Sequence, residues 1–212
     1  MNKSFATILS VVFHPLIITT YLFALLFLLT PDLVGVSALE LPAIGSLIFL
    51  LFINTFIAPA LLVYYMKRFG IISSLHVDHL EERKWPYLAS IFIYATSAYL
   101  FGWRLQPIAQ LAPQISILLI SVTITLIFVF LVSLSWKISA HATGIGGGLG
   151  TLFGLIMRFH ETTLILPFII LIMIGGFVIS ARLRLNAHTP AQIMAGLAGG
   201  IFISVFCVYF FI

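Results

Sequence analysis

The sequence predicts an all-α polytopic membrane protein, a bundle of six or seven transmembrane helices forming a single domain over residues 1–212. Three observations predict it. Hydrophobic types make up 62% of the 212 residues, charged types only 8%, and the mean hydropathy is +1.22. A soluble domain carries about a quarter charged residues, so 8% could not cover a surface facing water. The apolar residues also fall in runs of about 20, the length that crosses the hydrocarbon of a bilayer. Finally, Trp85, Trp103 and Trp136 fall at the ends of such runs, where amphipathic rings prefer the membrane interface. The runs are continuous rather than alternating, which argues against a β-barrel. Disorder, a coiled coil and nucleic-acid binding through a basic face are excluded by the same composition. The net charge of +4 comes from ten Lys and Arg against six acidic residues, and the bases are scattered between apolar runs.

The expected spans are 5–29, 43–66, 86–104, 114–136, 141–157, 162–180 and 190–211. The first begins soon after a single base, Lys3, and lacks an A-x-A-like cleavage site followed by a soluble domain, so it reads as a span. His14, before Pro15 inside it, reads as a kink or satisfied core residue. The fifth run is short and rich in glycine. Gly146, Gly150 and Gly154 recur every four residues, a stripe that lets helix backbones approach closely. It would seat the fifth helix against a neighbour and fix His141 at its mouth. No G-K-[ST] follows, so the stripe is not a phosphate loop. Cys207, the lone cysteine, lies in the last run and excludes an intrachain disulfide.

Seven spans put Lys3, Lys67, Arg68, Arg83, Lys84, Lys137, Arg182 and Arg184 on one face, against Arg104 and Arg158 on the other. The positive-inside rule assigns the richer face to the cytoplasm of a bacterial inner membrane. Setting aside Arg83, Lys84, Lys137 and Arg182 as functional leaves four bases against two, so charge counting alone decides little.

Polar groups are rare, so their clusters carry information. Residues 76–86 hold His76, Asp78, His79, Glu81, Glu82, Arg83 and Lys84. Residues 137–144 hold Lys137, Ser139, His141 and Thr143. Residues 182–192 hold Arg182, Arg184, Asn186, His188, Thr189 and Gln192. All three fall on the same face. His, Arg, Lys and Ser suit an anion, and His141 and His188 each sit at the start of an expected helix, where free N–H groups attract phosphate. Structural roles stand beside these. Lys137 and Arg184 fit interface anchors, Ser139 fits an N-cap, and Thr189-Pro190-Ala191-Gln192 fits a capping box in which Gln192 is only the cap. His160-Glu161 reads as a solvated turn on the opposite face. His76, Asp78, His79 and Glu82 have a spacing that could also place metal ligands on one helical face.

The second and third clusters resemble the type 2 phosphatidic acid phosphatase superfamily, integral membrane lipid phosphatases related to vanadium haloperoxidases. Its pattern is K-x6-R-P, then P-S-G-H, then S-R-x5-H-x3-D-V-x2-G. Ser139-Ala140-His141 looks like the middle motif, and Arg182-x5-His188-x3-Gln192-Ile193-x2-Gly196 looks like the last. The likeness covers residues 78–200. Ile138 and Ala140 replace the Pro and Gly of the middle motif, Ala181 directly precedes Arg182, and Gln192 replaces the aspartate. In the first motif Trp85 and Asp78 fall where Arg and Lys belong, with Arg83 and Lys84 close by.

The resemblance implies a mechanism. His188 would be the nucleophile, oriented by Gln192, and His141 the general acid. Arg182, with Arg83 or Lys84, and backbone N–H groups near Ser139 would hold the phosphoryl oxygens. The expected function is a metal-independent, cofactor-free hydrolase acting on a lipid phosphate or diphosphate within the bilayer. Phosphatidate, phosphatidylglycerol phosphate, polyprenyl diphosphate and lipid A phosphate are the substrates that the resemblance suggests. Many bacterial relatives act on the outer face. Gln192 keeps a second expectation open, a homologue that binds or moves anionic lipids without hydrolysis. A channel or transporter has little support, since the mid-span regions lack ionisable residues.

Overall fold

The computed structural model describes residues 1–75, 77 and 79–212, and all regular structure among them is helical. Helix α1 is Lys3–Val12 and α2 is Pro15–Leu29. Helix α3, Leu41–Phe52, runs through a π turn, Ile53–Ile57, into α4, Ala58–Arg68. Helix α5, Lys84–Tyr99, likewise ends in a π turn, Leu100–Arg104. A single turn, α6, Ile108–Leu111, leads to α7, Pro113–Ser133. Helices α8, Ala140–Phe159, α9, Ile165–Arg184, and α10, Pro190–Phe211, complete the chain. Among the described residues, five helical segments are long and apolar enough to cross a membrane, or six with α1 and α2 counted as one bent span.

Two expected spans differ in form. The run 5–29 breaks at Phe13–His14 and bends by 56°. Pro15 explains the break: it lacks an N–H and its ring excludes the preceding turn, so the helix restarts with proline in its first turn and His14 as N-cap. The run 86–104 forms a helix but is not among the five or six. Its tyrosines, serines and threonine (Tyr87, Ser90, Tyr94, Thr96, Ser97, Tyr99) lower its hydropathy.

The outer surface is apolar. Phe92 on α5 and Phe202 on α10 are 73% and 74% exposed, and Leu166 and Met173 on α9 face outward with them. Contiguous exposed apolar surface of this extent suits lipid contact, not water. The interior carries the polar groups instead. Tyr94 donates its hydroxyl to the Thr55 carbonyl (2.9 Å), and Thr20 and Thr55 share a hydroxyl bond (2.9 Å). Such pairing is required where no water can satisfy a polar group.

The tightest packing joins α8 to α10. A Cβ on Gly146 would overlap the Leu197 carbonyl, and one on Gly150 would press on Ile201 and Ser204. The contact is mutual: a Cβ on Gly200 would overlap the Thr143 carbonyl, and one on Gly196 would sit 2.8 Å from the Ser139 carbonyl. The glycines thus remove side chains between the two backbones, as the stripe predicts. Replacing Gly150 with Leu should therefore lower the thermal midpoint of the detergent-purified protein sharply or prevent its recovery, since overpacking costs about 1–3 kcal/mol or more. Gly176→Leu, at a position with open space around it, should leave the midpoint near the wild-type value.

Candidate functional site

The α8–α10 contact aligns the starts of both helices. The Ser139 N–H donates to the Gln192 carbonyl (3.3 Å), tying the residue before α8 to the first turn of α10. Ser139 is fully buried and is the N-cap of α8, its Oγ accepting from the Ala142 N–H (3.4 Å). His141 follows in the first turn. On the other strand of the connection, α9 ends at Arg184, and Asn186 adopts a left-handed conformation (φ 51°). The Ala187 N–H returns to the Arg182 carbonyl (3.1 Å), closing the helix end. Asparagine tolerates that conformation better than most residues. The turn sets His188 directly before the N-cap of α10.

One oxygen then fixes the His188 ring. Thr189 and Gln192 form a capping box: Thr189 Oγ1 accepts from the Gln192 N–H (3.4 Å), and Gln192 Oε1 accepts from the Thr189 N–H (3.1 Å). Because the Thr189 N–H can only donate, the amide presents its oxygen there. The same Oε1 lies 3.3 Å from His188 Nδ1. An oxygen acceptor requires the proton on Nδ1, which leaves Nε2 with the lone pair. Gln192 is therefore both cap and ring orienter. Burial, then the nearby Arg182 and Arg83 guanidiniums, push the His188 imidazole down from 6.5 to about 4, against the raising effect of the Gln192 bond. His188 is neutral at pH 7, with Nε2 unprotonated.

His188, His141, Arg182 and Arg83 line a single cavity of about 210 Å³. His141 Nε2 lies 2.9 Å from the Ser10 carbonyl, so this nitrogen carries the proton and donates. Arg182 Nη1 donates to Ser10 Oγ (3.3 Å). A single residue of α1 thus engages both groups. Arg83, 8% exposed, donates from Nε to the Val77 carbonyl (3.1 Å) and from Nη1 to the Ile138 carbonyl (3.4 Å), joining the start of α5 to the connection before α8. Away from these groups the cavity wall turns apolar, through Ile18, Leu22, Val122, Leu126 and Val129. An apolar groove of about 740 Å³ between α2, α8 and α9 shares Ile18, Leu22 and Gly148 with it.

Not every residue expected at the site lines the cavity. Lys84 is exposed, its Nζ 5.2 Å from the centroid of the Trp85 ring. Ser139 contributes as a cap, and Gln192 acts through His188. Glu82 Oε2 accepts from the N–H and hydroxyl of Ser73 (3.0 and 2.9 Å). The metal alternative falls partly on His76 and Asp78, which lie outside the described residues; among the described residues no three such ligands come together. In the sequence His14 reads as a kink or core residue, and the helix does break there, but Ser10 is given no role. His14 lines the cavity with its ring edge-on to His141, centroids 5.5 Å apart. The available signal was an ionisable residue within an apolar run.

Comparison of the chain with models of known protein families, with curated proteins and with solved structures returns no match.

The ring environment makes a direct prediction for an NMR titration of His188. Gln192→Glu keeps the acceptor and adds a negative charge, so the imidazole should titrate well above 4. Gln192→Leu removes a bond that favours the protonated ring, so titration should move below the wild-type position.

Proposed function

We propose that this chain is a membrane lipid phosphatase of the type 2 phosphatidic acid phosphatase kind, acting through a phosphohistidine. The observation that carries the proposal is one cavity joining a neutral histidine with a free Nε2, a second proton-bearing histidine and two guanidiniums to an apolar interior. Phosphoryl transfer asks mainly for positioning and for charge on the equatorial oxygens, and these side chains can supply both.

In this reading His188 Nε2 attacks phosphorus in line. The bond from phosphorus to the lipid oxygen breaks, and His141, protonated on both ring nitrogens once the phosphate dianion is bound beside it, gives that oxygen one proton and is left as neutral imidazole. Arg182 and Arg83 take up the developing charge. Water, losing a proton to His141, then attacks the phosphohistidine, releasing inorganic phosphate and restoring His188. The apolar wall beyond the cations suits an alkyl tail, with the adjoining groove able to take a second chain. His141 and Arg182 must exchange their Ser10 oxygens for those of the substrate.

Gln192 favours a second reading, in which anionic lipids bind without hydrolysis. An amide can orient the ring but brings no charge to stabilise its cation. In a serine protease triad, the aspartate-to-amide change lowers kcat by about 10⁴.

Phosphate release from a panel of lipid phosphates and diphosphates, by purified protein in detergent with chelator present, separates the two. Release by the wild type that His188→Ala abolishes is expected. Its acid limb should lie near pH 4, because activity needs the unprotonated ring and is lost as pH falls through the value for His188. Release only from Gln192→Asp would favour binding without turnover.

A further inference from the structure

We propose that His14 is a third histidine of the site, a phosphate-binding residue whose Nε2–H donates to a phosphoryl oxygen. The inference rests on the phosphate-binding reading of the cavity and extends it to the N-terminal element of the fold.

His14 has two evident local roles, and neither calls for a histidine. The first is the kink, which Pro15 produces by itself. The second is the N-cap of α2, where Nδ1 accepts from the Leu16 N–H at 3.4 Å. That bond is long, and Asn, Asp, Ser and Thr cap helices better. A titratable ring within an apolar bundle is costly to keep where a smaller polar residue would serve. What only a ring supplies is its second nitrogen. Accepting the Leu16 N–H leaves Nδ1 without a proton, so the neutral ring carries its proton on Nε2. His14 lines the same cavity as His188, His141, Arg182 and Arg83, and its ring packs edge-on against that of His141.

The three rings then have distinct tasks. His188 presents a lone pair on Nε2, His141 presents a proton for transfer, and His14 presents a fixed donor. A neutral N–H suits the third task, because it binds a phosphoryl oxygen without adding a cation beside His188, whose ring becomes cationic on phosphorylation. The 56° break between α1 and α2 is what brings this donor to the cavity.

Two substitutions separate the nitrogens. His14→Asn places an amide oxygen near the position of Nδ1 and keeps the cap but has nothing at Nε2. His14→Gln reaches toward the Nε2 position with an N–H donor. The measurement is the thermal shift of the full-length protein in detergent, titrated with inorganic phosphate. The wild type should be stabilised in a saturable way. His14→Asn should keep the ligand-free midpoint and bind phosphate about tenfold more weakly or worse, the loss expected for a hydrogen bond to a charged group. His14→Gln should stay within about threefold of the wild type. Wild-type affinity in His14→Asn would overturn the proposal, leaving His14 as a cap alone. Equal weakening in both variants, with lowered ligand-free midpoints, would also overturn it, since His14 would then act through the fold. No saturable shift in the wild type would instead remove the phosphate-binding reading itself.

Discussion

The close approach of α8 and α10 is the constraint on which the rest depends. With Gly146 and Gly150 on one helix against Gly196 and Gly200 on the other, the backbones approach so closely that an added Cβ at any of the four would collide with the facing helix. The helix starts are therefore side by side, close enough for the Ser139 N–H to reach the Gln192 carbonyl. His141 sits just inside one start and His188 just outside the other. Their convergence on one cavity follows from backbone contact, which holds position better than long side chains could. The short α9–α10 connection, closed by Asn186 in a left-handed conformation, leaves His188 little freedom.

Lipid as the surrounding solvent explains how the remaining polar groups are arranged. A buried polar atom with no partner costs several kcal/mol in hydrocarbon, roughly what a whole domain can tolerate losing. Thr20, Thr55 and Tyr94 satisfy one another inside the bundle. Near the face that carries the site, the cations are held by oxygens of other segments: Arg83 by the Val77 and Ile138 carbonyls, Arg182 by the Ser10 hydroxyl. Ser10 engages both His141 and Arg182, through its carbonyl and its hydroxyl. The same scarcity of charge bears on Gln192. A neutral amide satisfies two N–H donors with one oxygen and adds no charge to desolvate, at the loss of electrostatic support for a cationic ring.

Much of this was legible in the residues. Hydropathy alone gave an all-helical membrane bundle, and the four-residue glycine period gave the tight helix pair. The spacing from Arg182 through His188 to Gln192 marked residues that the fold brings close together, because five intervening residues span a helix end and a turn while three span one helical turn. Two features were not legible. Arg83 and Lys84 are adjacent and equally basic, yet Arg83 turns inward to two carbonyls while Lys84 lies over Trp85; only tertiary contacts distinguish them. His14 reaches the cavity, and Ser10 reaches two of the residues that line it, because the chain bends at Pro15 and α1 packs along α9, a contact more than 170 residues away along the chain between Ser10 and Arg182. No local pattern encodes such a contact.

The most direct test is to trap the covalent intermediate. Protein incubated with a ³²P-labelled lipid phosphate and quenched in alkali, where phosphohistidine survives, should carry label on the peptide containing His188. His141→Ala should both gain and lose label more slowly than the wild type, since the proposed role of His141 spans both steps, and His188→Ala should carry none. Label-free wild-type protein that still releases phosphate, or unchanged labelling of His188→Ala, would contradict the assignment of His188 as nucleophile.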